Sequence, residues 1–409
     1  MSAGQPDAGR RVALAVVAAA FGYFVDIYDL LLFSILRVPS LRAIGVAGDQ
    51  LLSTGVLLLN VQMFGMLLGG IGWGMLGDRR GRLSVLFGSI SLYSLANIAN
   101  GFVTTVPMYA ALRFVAGVGL AGELGAGITL VSETMSVERR GYGTTTVASF
   151  GILGAVAAAL VGGLLDWRIA YFVGGAMGLA LLALRIGVYE SGAFERVART
   201  NVPRGNIFGL LSSWRQVRKY ASVILVGLVP WYVAAIPVTF APEFGQAMGM
   251  TTLPQAGPAV MFLYLGSSPG GFLCGYLSER FRSRKRVTRG FILGAAASIA
   301  LYFVLARQSV ALFYTMCFVI GIACGYWAVF MTIAAEQFGT NIRATVATTA
   351  PNFVRGAVVP MTAAFQLLRA PLGIQGSALL VGLAAITLAL AALANLDETF
   401  GRDLNFVEE

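Results

Sequence analysis

Histidine is absent from the 409 residues. That removes histidine-based catalytic triads, histidine-ligated metals and histidine proton relays. Charge is also scarce. Asp, Glu, Lys and Arg make up 12% of the chain, against about 25% in soluble domains, so a water-soluble fold of this length would lack polar surface. Cysteine is confined to Cys274, Cys317 and Cys324. All three lie in apolar stretches, with neither the spacing of a disulfide framework nor that of a metal site, and read as packing residues. A cleavable leader is not expected either, because the first apolar run is too long and others follow it.

What is present is apolar. Hydrophobic residues make up 57% of the chain and the mean hydropathy is +0.78. The 51 glycines suit helices that pack closely in lipid better than helices in water. A span needs roughly 20 apolar residues, and twelve such runs can be placed. Six lie near 11–37, 51–76, 83–102, 108–133, 143–165 and 168–189. A polar segment at 190–218, with Pro203 and several arginines, reads as a linker. Six more runs lie near 219–243, 256–278, 288–306, 309–335, 345–369 and 373–395. The net charge of +10 would suit nucleic-acid binding in a soluble chain, but here the charge sits in short loops between apolar runs, where topology explains it better. Twenty-one Lys and Arg fall on one side, among them Arg79, Arg140, Arg218, Lys285 and Arg343. Five fall on the other: Arg37, Arg42, Arg168, Arg307 and Arg369. Cytoplasmic loops carry the excess, so both termini and the linker are expected in the cytoplasm.

Two patterns repeat. Glu133 and Arg140 follow the fourth run; Glu336 and Arg343 follow the tenth at the same spacing, 203 residues later. Gly74-Met-Leu-Gly77-Asp78-Arg79-Arg80-Gly81-Arg82 has a degraded copy beginning at Gly275, 201 residues later. Near-equal offsets indicate two parallel homologous halves. The Gly74–Arg82 stretch resembles the loop signature of the major facilitator superfamily, with Leu83 in place of its last basic residue. The Glu133/Arg140 and Glu336/Arg343 pairs resemble the cytoplasmic charge network of sugar porters and related symporters. The tail Asp397-Glu-Thr-Phe-Gly401 is similar to that of sugar porters, with Asp for Pro. This resemblance implies an all-α membrane fold of twelve helices in two six-helix halves, 1–189 and 219–396, with a linker at 190–218 and a tail at 397–409. Gly77, Asp78, Arg79, Gly81, Arg82, Glu133, Arg140, Glu336 and Arg343 would form a cytoplasmic gate; a static basic cuff is the plainer alternative.

A charge at bilayer depth costs roughly 2.5–3.5 kcal/mol or more and marks a functional candidate. Asp26 and Asp29 share a face of the first run, Arg113 and Glu123 lie in the fourth, and Arg355 lies in the eleventh. Gly22-Tyr-Phe-Val-Asp26-Ile-Tyr28-Asp29 resembles the first helix of metabolite:proton symporters, and Arg113 to Glu123 resembles their fourth. The resemblance implies that Asp29 and Arg113 couple proton to substrate; a permanent neutralising pair is the alternative. Asp26 and Glu123 stand between coupling and structural service. Arg355 has no acid in its own helix and suits an anionic substrate group, unless Asp26, Asp29 or Glu123 partners it. Tyr28, Asn60, Gln62, Trp231, Tyr232, Tyr264, Tyr326, Trp327, Asn352 and Gln366 are candidate lining residues, of which Tyr28, Gln62, Trp231, Tyr232, Trp327 and Asn352 join Arg355 as the expected substrate contacts.

The expected function is proton-coupled uptake of a small organic acid or related metabolite in the inner membrane. Proton-driven efflux of a cationic or amphipathic compound is the alternative, disfavoured by the lack of proline in the fifth run. No enzyme activity, cofactor, metal or nucleic-acid partner is expected. The expected partners are a small-molecule substrate, protons and the lipid bilayer, with the chain a monomer.

Overall fold

The computed structural model describes residues 5–80, 82–123, 140–190 and 213–401. All described secondary structure is helical. Before residue 191 lie α1 (Gln5–Ala43), α2 (Gln50–Arg80), α3 (Arg82–Asn100), α4 (Val106–Leu120), α5 (Arg140–Leu164) and α6 (Trp167–Glu190). After residue 212 come α7 (Trp214–Val226), α8 (Leu228–Val233), a π turn at Ala234–Val238, α9 (Ala241–Ala247), α10 (Ala256–Arg280), α11 (Arg284–Leu305), α12 (Val310–Cys324), α13 (Trp327–Glu336), α14 (Thr340–Gly356) and α15 (Val358–Asn395).

Local chemistry sets several of these boundaries. Thr105, Ser213, Ser283 and Ser309 each accept a hydrogen bond from the backbone N–H three residues on, closing the first turns of α4, α7, α11 and α12. Among the described residues, seven helices are long and apolar enough to cross a bilayer, and an eighth span forms if α7 and the segment Leu228–Val238, bent by 43°, count together. Large apolar side chains face outward along them, including Leu57, Leu179, Leu301 and Leu383. Such surfaces are stable against lipid, not water.

Four expected runs are not continuous helices among the described residues, the fourth run because α4 stops at Leu120. The seventh, 219–243, breaks into α7, α8, the π turn and α9. Gly227 sits at the bend, and Pro230 and Pro237 each lack the N–H that an unbroken ladder needs. The tenth run breaks between α12 and α13 at Gly325–Tyr326. The eleventh breaks at Ala357 between α14 and α15, and its second part runs into the twelfth in α15, which turns at Gly373, φ 66°, a conformation that favours glycine. The polar stretch 190–218 ends earlier than its composition suggests, because Arg215, Arg218 and Lys219 already belong to α7.

Helix packing repeats at the offsets read from the charge motifs. Helix α2 packs on α4, and α10 packs on α12. A Cβ on Gly65 would strike the Phe114 carbonyl, and one on Gly117 would strike the Gln62 carbonyl. In the second set, a Cβ on Gly266 would strike the Phe318 carbonyl, and one on Gly321 the Leu263 carbonyl. Gly65 to Gly266 and Gln62 to Leu263 are both steps of 201 residues. Small residues at matched places let both helix pairs close to backbone contact. The two sets meet where α5 and α1 pack on α10, and where α2 packs on α14 and α15.

Candidate functional site

Among the described residues, the seam between the two sets carries two ion pairs that join residues far apart in sequence, one fully and one partly buried. Deep in the seam, Asp26 of α1 faces Arg355 of α14, Oδ2 to guanidinium nitrogen 3.6 Å, with both side chains at most 1% exposed. The pair is loose. Neither Asp26 oxygen is hydrogen-bonded, and Arg355 keeps its Nε and one terminal nitrogen unpartnered. The guanidinium lies 5.3 Å from the Trp231 ring centre, and Trp231 meets Trp327 edge to face at 6.1 Å. Tyr23 and Tyr264 sit within electrostatic reach of the same arginine. An ionised pair with spare donors and acceptors, walled by aromatic rings, can exchange partners. A proton can neutralise Asp26, and a carboxylate can take its place on Arg355.

The second seam pair joins Arg37 of α1 to Glu243 of α9 through two 2.7 Å contacts. The sequence pattern places Arg37 in an outer loop. The structure instead puts it inside α1 and fully buried, because Glu243 and the Leu51 and Thr239 carbonyls accept from its two terminal nitrogens and the Phe240 ring covers it at 4.6 Å.

The other expected charges lie within the first set. Asp29 and Arg113 are both fully buried and within electrostatic reach, with Asn97 beside the carboxylate. They do not close a hydrogen bond, and Arg113 rests 5.4 Å from the Phe33 ring and 5.8 Å from the Tyr171 ring. Gly174 of α6 leaves the room that one Asp29 oxygen occupies. Glu123 is held by Arg185 of α6 through a two-pronged contact, one prong at 3.0 Å. Sequence reasoning missed Arg185. Its signal was a lone cation inside the sixth apolar run, as informative as Arg113.

The expected substrate contacts divide. Trp231 and Trp327 gather at Arg355. The Tyr28 hydroxyl donates to the Ala170 carbonyl and the Tyr232 hydroxyl to the Ala378 carbonyl. Gln62 donates to the Leu30 carbonyl at 3.5 Å. These three hold helices together within one set. Asn352 crosses the seam, donating to the Ala121 carbonyl at 3.0 Å, and Thr362 donates to Asn60 across it as well. Of the expected gate, Gly81 and Glu133 lie outside the described residues, as do the side chains at Gly77, Asp78, Arg79, Arg82, Arg140 and Arg343. Glu336 is described. It lies 3.6 Å from Arg284 and accepts the Thr399 hydroxyl at 2.7 Å.

Comparison with known proteins gives this geometry a context. The chain is 28% identical to a niacin transporter of Acinetobacter baylyi, over 70% of this chain and 72% of the relative. It is 26% identical to a gentisate transporter of Corynebacterium glutamicum, over 96% and 89%. It is also 26% identical to a 3-(3-hydroxy-phenyl)propionate transporter of Escherichia coli, over 77% and 79%. With residues 12–363 matched by the family model, the chain belongs to the Major Facilitator Superfamily and is a multi-pass membrane transporter of small molecules, not an enzyme.

Proposed function

We propose that the protein takes up a small aromatic or related organic acid together with protons, by alternating access. The observation that carries this reading is the loose Asp26–Arg355 pair, buried in the seam beside Trp231 and Trp327. The cargoes named for the three relatives are all aromatic carboxylic acids, which supports it. Protonation of Asp26 releases Arg355. The substrate carboxylate then replaces Asp26 on the guanidinium, and the indoles pack against the ring. The arginine is neutralised both when Asp26 is ionised and when the carboxylate is bound, so moving the site from one face to the other in either of those states does not strand a bare charge in low dielectric. Asp29, near Arg113 but not bonded to it, serves as a second proton site. Glu123, locked to Arg185, serves the packing of α4 and α6.

The same reading takes the helices as twelve spans in two six-helix halves. Helix α15 supports this: 38 residues at 1.5 Å each is about 57 Å, nearly twice the hydrocarbon thickness, and it turns at Gly373. The halves are 1–189 and 219–396, the linker 190–218 and the tail 397–409 face the cytoplasm, and the protein works as a monomer in the inner membrane. The cytoplasmic gate is assigned to Gly77, Asp78, Arg79, Gly81, Arg82, Glu133, Arg140, Glu336 and Arg343.

Uptake of radiolabelled gentisate and nicotinate into proteoliposomes, with and without an inward proton gradient, tests the proposal. Wild type is expected to accumulate at least one of these acids only with the gradient. Arg355→Gln is expected to assemble but lose uptake. Asp26→Asn is expected to retain binding by thermal shift and lose gradient-driven accumulation. Retained substrate affinity in Arg355→Gln, or gradient-driven accumulation in Asp26→Asn, rejects the assignment.

A further inference from the structure

The Arg37–Glu243 pair is placed to do more than hold two helices together. It joins residues 206 apart in sequence, one from each set of helices. Beside it lies a cavity of 510 Å³ lined by Arg42, Asp49, Leu51 and Gln246 together with the glycine-bearing loop after α1. Leu51 is the residue whose carbonyl accepts from Arg37, and Gln246 is one helical turn beyond Glu243. The cavity therefore adjoins the pair through Leu51 and one turn of α9, while the guanidinium itself stays sealed behind Glu243. Glu243 keeps 15% of its side chain exposed while Arg37 is sealed, so the carboxylate is the partner that can leave. Arg37 retains a buried, unpartnered Nε, so its donors are not all used even when the pair is closed.

The seam thus holds two arginine–carboxylate pairs of opposite polarity. At Asp26–Arg355 the first set supplies the acid; at Arg37–Glu243 it supplies the arginine. Each guanidinium lies against an aromatic ring of the second set, Trp231 or Phe240. A ligand that competes with Asp26 for Arg355 has the chemistry to compete with Glu243 for Arg37.

The geometry points to Arg37 as an anion subsite at the outer mouth of the pathway: an incoming carboxylate displaces Glu243, and the displacement unlocks the seam. This rests on the proposed uptake of an organic acid and on the orientation that puts the loop after α1 outside. An anion that opens its own gate enters only when it can neutralise Arg37, which excludes neutral analogues before the central site is reached.

The test uses the full chain in nanodiscs with one reporter, Ile35→Cys, whose side chain faces Gly257 of α10 across the seam. The three native cysteines are buried, and the parent without the reporter supplies the background. Labelling by a membrane-impermeant maleimide is timed. Breaking one side of a buried charge pair costs enough to raise the reporter's labelling rate by about tenfold in Arg37→Gln and in Glu243→Gln without ligand. The swap Arg37→Glu with Glu243→Arg is expected to return the rate towards that of the parent, which separates a lock from a folding defect. With the pair intact, benzoate is expected to speed labelling and benzamide is not. Unchanged labelling in the single variants overturns the lock, and equal effects of benzoate and benzamide overturn the anion subsite. Arg355→Gln separates the two proposals: it is expected to keep the benzoate response at Arg37 while losing uptake.

Discussion

Glu123 and Arg185 show how a buried charge is tolerated in the first set, and why neither residue can be spared alone. Each is about 2% exposed, and each spends its charge on the other. Removing one partner leaves a bare ion in low dielectric, a change that costs about 3–5 kcal/mol, whereas replacing both with apolar residues of like volume is near neutral or better. Arg185→Met alone is therefore expected to lower the thermal midpoint of the detergent-purified protein sharply. Glu123→Leu with Arg185→Met is expected to recover most of the loss while leaving uptake measurable. If the double variant transports normally, Glu123 is not a proton carrier; if it is stable but uncoupled from the gradient, the packing assignment fails. Gly22 adds an independent check, because a Cβ there would push into both the Arg185 guanidinium and the Glu123 carboxylate. Asp26, Asp29, Arg113, Glu123 and Arg355 stand out in the sequence because a charge within an apolar run is anomalous by itself. Which of them pair does not, since Asp26 is one of three candidate partners for Arg355 and the pairing across α1 and α14 is a tertiary fact with no local trace. Arg37 was hidden for a related reason: an arginine near the end of a run looks like the start of a loop until the helix is seen to continue to Ala43.

At the scale of the element, the tail after α15 shows a motif becoming a physical device. Glu398 accepts from the Ser283 hydroxyl and from the backbone N–H groups of Arg284, at 2.8 Å, and Lys285, at 3.2 Å, which begin α11. A carboxylate there meets unpaired helix donors and the positive end of the helix dipole. Thr399 reaches Glu336, the Gln337 amide donates to the Asp397 carbonyl, and Lys285 bonds the Leu396 carbonyl. Partial burial opposes ionisation of Glu398, but the donors from Ser283, Arg284, Phe400 and Lys285 outweigh it and hold its carboxyl below the usual 4.5. A group whose folded value is depressed stabilises the fold above its unfolded value and loses that contribution as pH falls through the folded one. Wild type is thus expected to be more stable than Glu398→Gln at neutral pH. The difference in thermal midpoint should shrink on acidification, starting near pH 4.5 and vanishing below the folded value. A pH-independent difference would mean that the carboxylate's charge is not what docks the tail. The helix breaks were less legible than this motif. Proline positions in the seventh run hinted at bending, but proline is also tolerated within membrane helices, and the division into four short pieces depends on packing against α15 as well as on missing N–H groups.

Across the whole molecule, the repeat was the most legible feature, since offsets of 201 and 203 residues in the charge motifs recur as 201 in glycine contacts buried inside the helix pairs. Orientation is different in kind: it is set by where positive charge halts during insertion, so it has to be argued from loops. The loop after α1 has only Arg42, in the last turn of α1, as a basic neighbour, whereas the turn between α10 and α11 is ringed by Arg280, Arg282, Arg284, Lys285 and Arg286. Ala47 and Arg282 are exposed at these two places, which makes each a clean site for a single cysteine. In intact cells, an impermeant maleimide is expected to label Ala47→Cys at once and Arg282→Cys only after permeabilisation. The reverse pattern would turn the molecule over. The 510 Å³ cavity beside Arg37 would then face the cytoplasm, and the same ion pair would govern release of the substrate instead of its admission. The chemistry of the Asp26–Arg355 site, which lies in the seam and not at either face, would be untouched by that reversal, so the labelling result decides the direction of the pathway independently of what it carries.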